Sequence, residues 1–255
     1  MAVAKSILLN CANVLAFAWT VVVNGLAGGT TFLGGKLTSE ISDATPTLIT
    51  PAGYVFSIWG VIYVLLGIFV VVQALPSQRG KHYQEKIGWL FVLSCLLNIA
   101  WLFLWQFEYL SLSVVLMFLL LASLIAIYLR LNIGKLVAPM REKLAVHLPF
   151  SVYLGWITIA SIANVAVTLV SIGWDGFGIA FETWAILIVA VALLIALLVI
   201  STRKDVAYGL VIIWALLGIA AKQSGHSNIV MATEIGAAAV VIALVFSILY
   251  SRLKR

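Results

Sequence analysis

Apolar residues dominate the chain in eight long stretches, roughly 6–28, 52–75, 87–107, 110–130, 146–172, 178–201, 206–222 and 228–250. A bilayer core takes about 20 apolar residues in helical form, so each stretch predicts a membrane-spanning helix, with 206–222 the shortest. Most breaks between them are short and polar. Pro76 to Lys81 ends the second stretch, and Pro139 with Arg141 to Lys143 separates the fourth from the fifth. Trp174-Asp175-Gly176 makes a tight turn, and Arg203-Lys204-Asp205 and Gln223-Ser224-Gly225-His226 form the last two. The connection from Gly28 to Thr50 is long and rich in Gly, Thr and Ser. No strong internal repeat is visible, so the inverted-repeat signature of many transporters is missing.

Inside four of the stretches, polar and aromatic residues recur at helical spacing. Phe56, Trp59 and Tyr63 stand at i, i+3 and i+7 on one face of the second. The first carries Asn10, Asn13, Thr20 and Asn24 with Phe17 between them, the third Ser94, Asn98, Trp101 and Trp105, and the fifth Tyr153, Trp156, Ala160 and Asn164. An amide in hydrocarbon costs several kcal/mol unless it is paired. These faces must therefore meet one another or a cavity. Interhelical hydrogen bonding alone does not call for so many rings beside the amides, so a lined cavity is expected. Gly60 and Gly67, and Gly25, Gly28 and Gly29, predict close helix approach.

Composition agrees with this pattern. The chain is 64% hydrophobic and 9% charged, against about 25% charged in soluble domains, and its mean hydropathy is +1.18. An all-α integral membrane protein with eight transmembrane helices follows. A cleaved leader does not explain the pattern, because apolar runs recur to the last residues. The net charge of +6 reports topology rather than nucleic-acid binding. With the N-terminus inside, 13 of the 15 basic residues fall on one side, leaving Lys36 and Lys222 on the other. By the positive-inside rule both termini are cytoplasmic, as expected in a bacterial cytoplasmic membrane. Glu40, Asp43, Glu108, Asp175, Glu182 and Glu234 fall on or near the opposite side and make it mildly anionic. Glu182 lies about one turn into its helix and Glu234 nearly two turns into its own. They are candidates for a proton or cation site, or for interfacial ion pairs with Lys222.

Cys11 and Cys95 sit inside apolar stretches and read as small buried hydrophobes, with no disulfide or metal site implied. The three histidines are scattered. No HExxH, P-loop, GxSxG or assemblable Ser/His/Asp set is present, so no catalytic residue, metal or cofactor is expected.

Three segments carry a family resemblance. Pro51, Val55, Phe56, Trp59, Tyr63 and Gly67 resemble the Pro-Pro-x-Trp-Val-Phe…Trp…Tyr…Gly second-helix motif of the TspO/translocator-protein family, also called tryptophan-rich sensory proteins. Leu97, Asn98 and Trp101 are similar to its Leu-Asn-x-x-Trp motif, and Tyr153, Leu154, Trp156, Ala160 and Asn164 to its Tyr-Leu-x-Trp…Ala…Asn motif. Order and spacing agree over residues 6–172. Tyr54 replaces a motif Trp, Ala52 the second Pro and Ser94 a Gln, and Phe32 is the one aromatic of the first loop. The last three stretches have no counterpart in the family's five-helix fold. This divides the chain into a TspO-like ligand-binding bundle, 1–172, and a three-helix C-terminal membrane extension, 173–255.

The resemblance implies a pocket between the helices, covered by the first loop, in a family whose members bind porphyrins, other tetrapyrroles and in some cases sterols. The leading expectation is a membrane binding protein for a large hydrophobic ligand with a sensory or regulatory role. Tyr54, Phe56, Trp59, Tyr63, Asn98, Trp101, Trp105, Tyr153, Trp156 and Asn164 are its ligand-binding residues. The resemblance offers a porphyrin as that ligand, the bilayer is the other partner, and a homodimer stays open. A secondary transporter of a small or amphipathic solute, resting on Glu182 and Glu234, is one alternative. A light-dependent porphyrin-degrading enzyme with a Trp as redox partner is the other.

Overall fold

The computed structural model describes residues 2–253, with side chains from Ile7 to Tyr250 and at Leu253. The chain is helical, and no strand occurs among the described residues. Its elements are α1 (Ala2–Gly29), α2 (Thr38–Ala44), α3 (Ile58–Ala74), α4 (His82–Ile87), α5 (Leu90–Gln106), α6 (Leu110–Leu131), α7 (Leu148–Ser171), α8 (Phe181–Arg203), α9 (Val206–Lys222) and α10 (Ser227–Leu253). A helix thus stands at each predicted apolar stretch.

Six of these stretches are long and apolar enough to cross a membrane, while α5 and α9 are shorter apolar helices of 17 residues. Local causes shorten both. Gly88, at φ 50°, ends α4 at the first residue of the expected third stretch, so α5 starts only at Leu90. Lys204 turns left-handed to end α8, and Asp205 immediately caps α9 by accepting a hydrogen bond from the Tyr208 N–H at 3.1 Å. In the first turn of α7, Pro149 supplies no N–H to the helical ladder, and the turn just upstream, Lys143–His147, widens to π form.

Five helices close into a ring in which each touches the next: α1 on α3, α3 on α7, α7 on α6, α6 on α5, and α5 back on α1. The three C-terminal helices pack on one another, and α9 lays their bundle against α7. Gly155 on α7 permits that approach, because a Cβ there would stand 3.1 Å from Val211 Cβ. α7 is accordingly the most buried of the long helices, being the wall shared by both bundles. By contrast α8 buries only a narrow stripe, Ala185, Val189, Ala192, Ala196 and Ile200, and presents residues such as Leu194 and Leu198 outward, as a lipid-facing helix does.

The connections gather at two ends. At one end Lys36 pairs with Glu108, Lys222 with Asp43, and Gln223 Nε2 donates to Thr47 O at 3.0 Å. At the other, Tyr128 Oη donates to Asp205 Oδ2 at 2.9 Å and Arg203 to Asn132 Oδ1 at 3.0 Å. The connections of this second end carry Arg79, Lys81, Lys86, Lys135, Arg141, Lys143 and Lys204. The side chains of Lys5, Arg252, Lys254 and Arg255, part of the same expected cluster, lie outside the described residues.

Two expectations about α1 change. Asn10 and Asn13 do not face the aromatic residues. They donate to Gln73 O at 3.1 Å and Gln73 Oε1 at 2.9 Å, so they join α1 to α3 near the basic end. Cys11 is exposed rather than buried, because it sits on the outer side of that same turn, while Cys95 is buried as expected. Of the glycines, Gly67 meets the Phe17 ring at 3.6 Å, but Gly25, Gly28, Gly29 and Gly60 have nothing within 4 Å of a would-be Cβ.

Candidate functional site

Pro51 ends the long first connection, a tight turn spans Gly53–Ser57, and α3 begins at Ile58. This places Phe56 in the turn and Trp59 and Tyr63 on the first turns of the helix, all directed into the ring. Trp59 is the hub. Its ring centroid lies 6.1 Å from each of Trp101, Tyr153 and Trp156, and it stacks on Tyr63 at 5.7 Å. Phe56 stands edge-on to Trp156 at 5.8 Å, and Trp101 stacks on Trp105 at 5.9 Å. Offset and edge-to-face pairs of this kind are the arrangements that the ring quadrupoles favour.

Neutral polar groups hold these rings. Trp101 Nε1 donates to Asn164 Oδ1 at 2.9 Å, and Asn164 Nδ2 donates to Ser113 Oγ at 2.9 Å. Asn24 Nδ2 donates to Asn98 Oδ1 at 2.7 Å. A small space of about 30 Å³ lies among Phe56, Trp59, Trp101, Trp105, Trp156 and Asn164. A second space of about 290 Å³ continues on the α1 side, between Asn24, Thr38, Ser39, Trp59 and Tyr63. Buried Trp156 Nε1, in the wall of these spaces, has no hydrogen-bond partner among the described residues, while Asn98 stands within reach of the Tyr63 and Tyr153 hydroxyls.

The first connection covers both spaces. Glu40 accepts from the Leu37 N–H at 2.7 Å and so starts α2. Ile41 and Ser42 turn inward, and Thr38 lines both spaces. Side chains at the end of α5 hold this cover down. Trp105 Nε1 donates to Thr38 O at 3.2 Å, Thr38 Oγ1 to Gln106 Oε1 at 3.1 Å, and Gln106 Nε2 to the Leu33 and Lys36 carbonyls at 2.9 and 2.8 Å. Gly34, at φ 71°, lies so close to Gln106 O that a Cβ would come within 2.3 Å of it. Gln106 belongs to none of the periodic stripes or motifs in the sequence. A lone amide closing an apolar stretch, just before a charged turn, was the signal available.

Of the ten residues expected to bind ligand, Phe56, Trp59, Tyr63, Trp101, Trp105, Trp156 and Asn164 line the two spaces. Tyr153 and Asn98 sit one layer behind, on Trp59 and Asn24. Tyr54 departs from the others: it is 54% exposed and stands edge-on to Trp214 of α9 at 5.5 Å. The reason is the turn Gly53–Ser57, in which Tyr54 and Phe56 cannot share a face. Glu182 and Glu234 are not brought to the ring. Glu182 accepts from Asn228 Nδ2 at 3.1 Å, and Glu234 is exposed on α10. Lys222 pairs with neither acid, because the end of α9 lies against α2 and meets Asp43.

The C-terminal helices reach the same region. The Ala52 N–H donates to Gly218 O at 3.0 Å, and Trp214 Nε1 donates to Val55 O at 3.2 Å. A family model described as TSPO-like protein matches residues 10–248. The chain belongs to the TSPO-like protein family. The match runs through α8, α9 and most of α10, the stretches that the motif resemblance left without a counterpart. No curated protein and no solved structure matches the chain. Family and apolar helices together make this TSPO-like chain an integral membrane protein, with a ligand-binding or sensory role as the family's suggestion.

Proposed function

We propose that this TSPO-like protein binds a large, flat, hydrophobic ligand inside the α1–α3–α5–α6–α7 ring and serves a regulatory or sensory role. In this reading it crosses the membrane eight times with both termini cytoplasmic. One observation carries the ligand class: four tryptophans from three helices surround a single space with only neutral polar groups among them. Rings of this kind stack on a planar ligand. The unpartnered donor of Trp156 suits a ligand with acceptor atoms on its edge, an unsatisfied donor otherwise costing about 1–3 kcal/mol. A tetrapyrrole has that shape and that edge. Ligand pockets commonly measure about 300–1,000 Å³, so entry requires the stacked rings to part and α2 to lift. Glu182 and Glu234, on which a transporter reading rests, stand outside the ring.

Titration of the purified protein with protoporphyrin, followed by tryptophan quenching, tests this. Saturable quenching is expected, weakened tenfold or more in Trp101→Ala and in Trp156→Ala, at about 1.4 kcal/mol per decade, and unchanged in Tyr54→Ala. Unsaturable quenching, or equal affinity in all three variants, would sink the reading.

A further inference from the structure

A second cavity, of about 640 Å³, lies outside the ring. It opens between the Pro46–Ile49 segment, the end of α7 and the start of α8. Its walls are apolar, built from side chains such as Leu48, Ile49, Leu169, Trp174, Trp184 and Ile188, with Asp175 on the lining. Its volume falls in the usual range of small-molecule sites, about 300–1,000 Å³. Tryptophans at this depth commonly anchor a helix to the membrane interface with their rings outward. Here Phe177, 79% exposed, and Phe181, 51% exposed, hold that position. Trp184 instead turns inward, its Nε1 donating to Gly176 O at 2.9 Å, and Trp174 packs on it at 5.3 Å between centroids. The Trp174-Asp175-Gly176 turn therefore builds a wall.

The charge at this mouth has one sign. Asp175 Oδ1 accepts from the Phe177 N–H at 2.9 Å, which fixes the carboxylate, while Oδ2 has no partner among the described residues. Glu40, Glu108 and Glu182 belong to the same end, and its two lysines, Lys36 and Lys222, are engaged by Glu108 and Asp43. A carboxylate beside tryptophan rings that line the same cavity attracts an organic cation through both Coulomb and cation–π terms, and the apolar walls accept a hydrocarbon body. We propose that this cavity is a second binding site, separate from the ring, for an amphipathic organic cation whose ammonium head meets Asp175 and whose apolar body lies against Leu169, Trp174 and Trp184.

The full chain in nanodiscs, titrated calorimetrically with decyltrimethylammonium below its micelle concentration and corrected for empty nanodiscs, tests this. Decyl sulfate and decyl maltoside supply the same tail with negative and neutral heads. Saturable binding of the cation is expected, with the sulfate at least tenfold weaker. Asp175→Asn, which keeps the cap on Phe177, lowers the cation's affinity about fivefold, as for an exposed charge pair, and leaves the maltoside unaffected. Ala166→Phe fills the cavity and removes binding of all three tails, with an unchanged melting temperature showing that the chain still folds. Trp101→Ala, in the ring, leaves the cation's affinity as in the wild type. Equal binding of the three tails, the result for a site that merely holds a lipid chain, overturns the proposal. So does cation affinity unaltered by both Asp175→Asn and Ala166→Phe.

Discussion

Trp59 and Gly218 sit on opposite sides of the same short turn and owe their roles to different physics. Trp59 gathers three rings from other helices because its face points into the ring of helices, as its spacing from Phe56 and Tyr63 foretells. Gly218 matters for what it lacks: a Cβ there would stand 2.2 Å from Val55 Cγ2 and 3.3 Å from Pro51 Cβ. Gly218→Ala is expected to cost about 1–3 kcal/mol, as overpacking does, read as a lower midpoint of thermal unfolding. Val55→Ala in the same chain should restore part of the loss, since it removes the atom that is struck. Gly60→Ala, with nothing within 4 Å, should shift stability by less than about 1 kcal/mol. From sequence the two glycines look alike. Gly60, two turns before the motif glycine Gly67, invites a packing argument, whereas Gly218 gives no sign, because a close approach is a property of two chains of atoms and only one of them is local.

The short helix α2 is the element on which access to the ring depends. It buries little of its own and is held from two sides, by Trp105 and Gln106 of α5 and by Lys222 of α9. Both Lys222 and Asp43 are partly exposed, so the pair contributes about 1 kcal/mol or less. Lys222→Ala should therefore leave the melting temperature nearly unchanged and yet speed hydrogen exchange at the Thr38–Ala44 amides, with the amides of α3 and α7 unaffected. Equal protection of α2 in both proteins would show that α5 alone secures the cover. In the sequence a covering loop is legible only through the family resemblance. Its composition of Gly, Thr and Ser has no period from which an element or its docking partners could be read.

At the scale of the whole molecule, α7 is shared between the ring and the C-terminal bundle, and the Ala52 N–H donates to Gly218 O of α9 while the Val55 carbonyl accepts from Trp214 Nε1 of the same helix. A chain ending at residue 172 would leave those groups and the α9-facing side of α7 without partners. It is expected to unfold at a lower temperature than the full chain and to bind protoporphyrin more weakly. Binding undiminished in the truncated chain would show that the ring is self-sufficient. Orientation has its own check. Cysteines placed at Lys81 and Lys143 should react with an impermeant thiol reagent only from the cytoplasmic face, and cysteines at Ser39 and Gly225 only from the opposite one. Labelling of both pairs from one face would refute eight crossings with both termini inside.

The sequence by itself determined where the helices run and which face of each carries its rings and amides. Hydrocarbon leaves no alternative to internal backbone hydrogen bonds, and unpaired amides in it are costly. Which neighbours those faces meet was decided only by the tertiary structure. Asn10 and Asn13 went to Gln73 while Asn24 went to Asn98, Tyr54 turned to Trp214, and Lys222 chose Asp43 over Glu182 and Glu234. Periodicity gives a direction about a helix axis but no partner. In a membrane the lipid tails are as apolar as the side chains, so the hydrophobic pattern does not rank one helix pairing above another. The ranking comes from shape, where a missing Cβ at Gly155 or Gly218 lets two backbones approach, and from the few polar groups that find each other once they have.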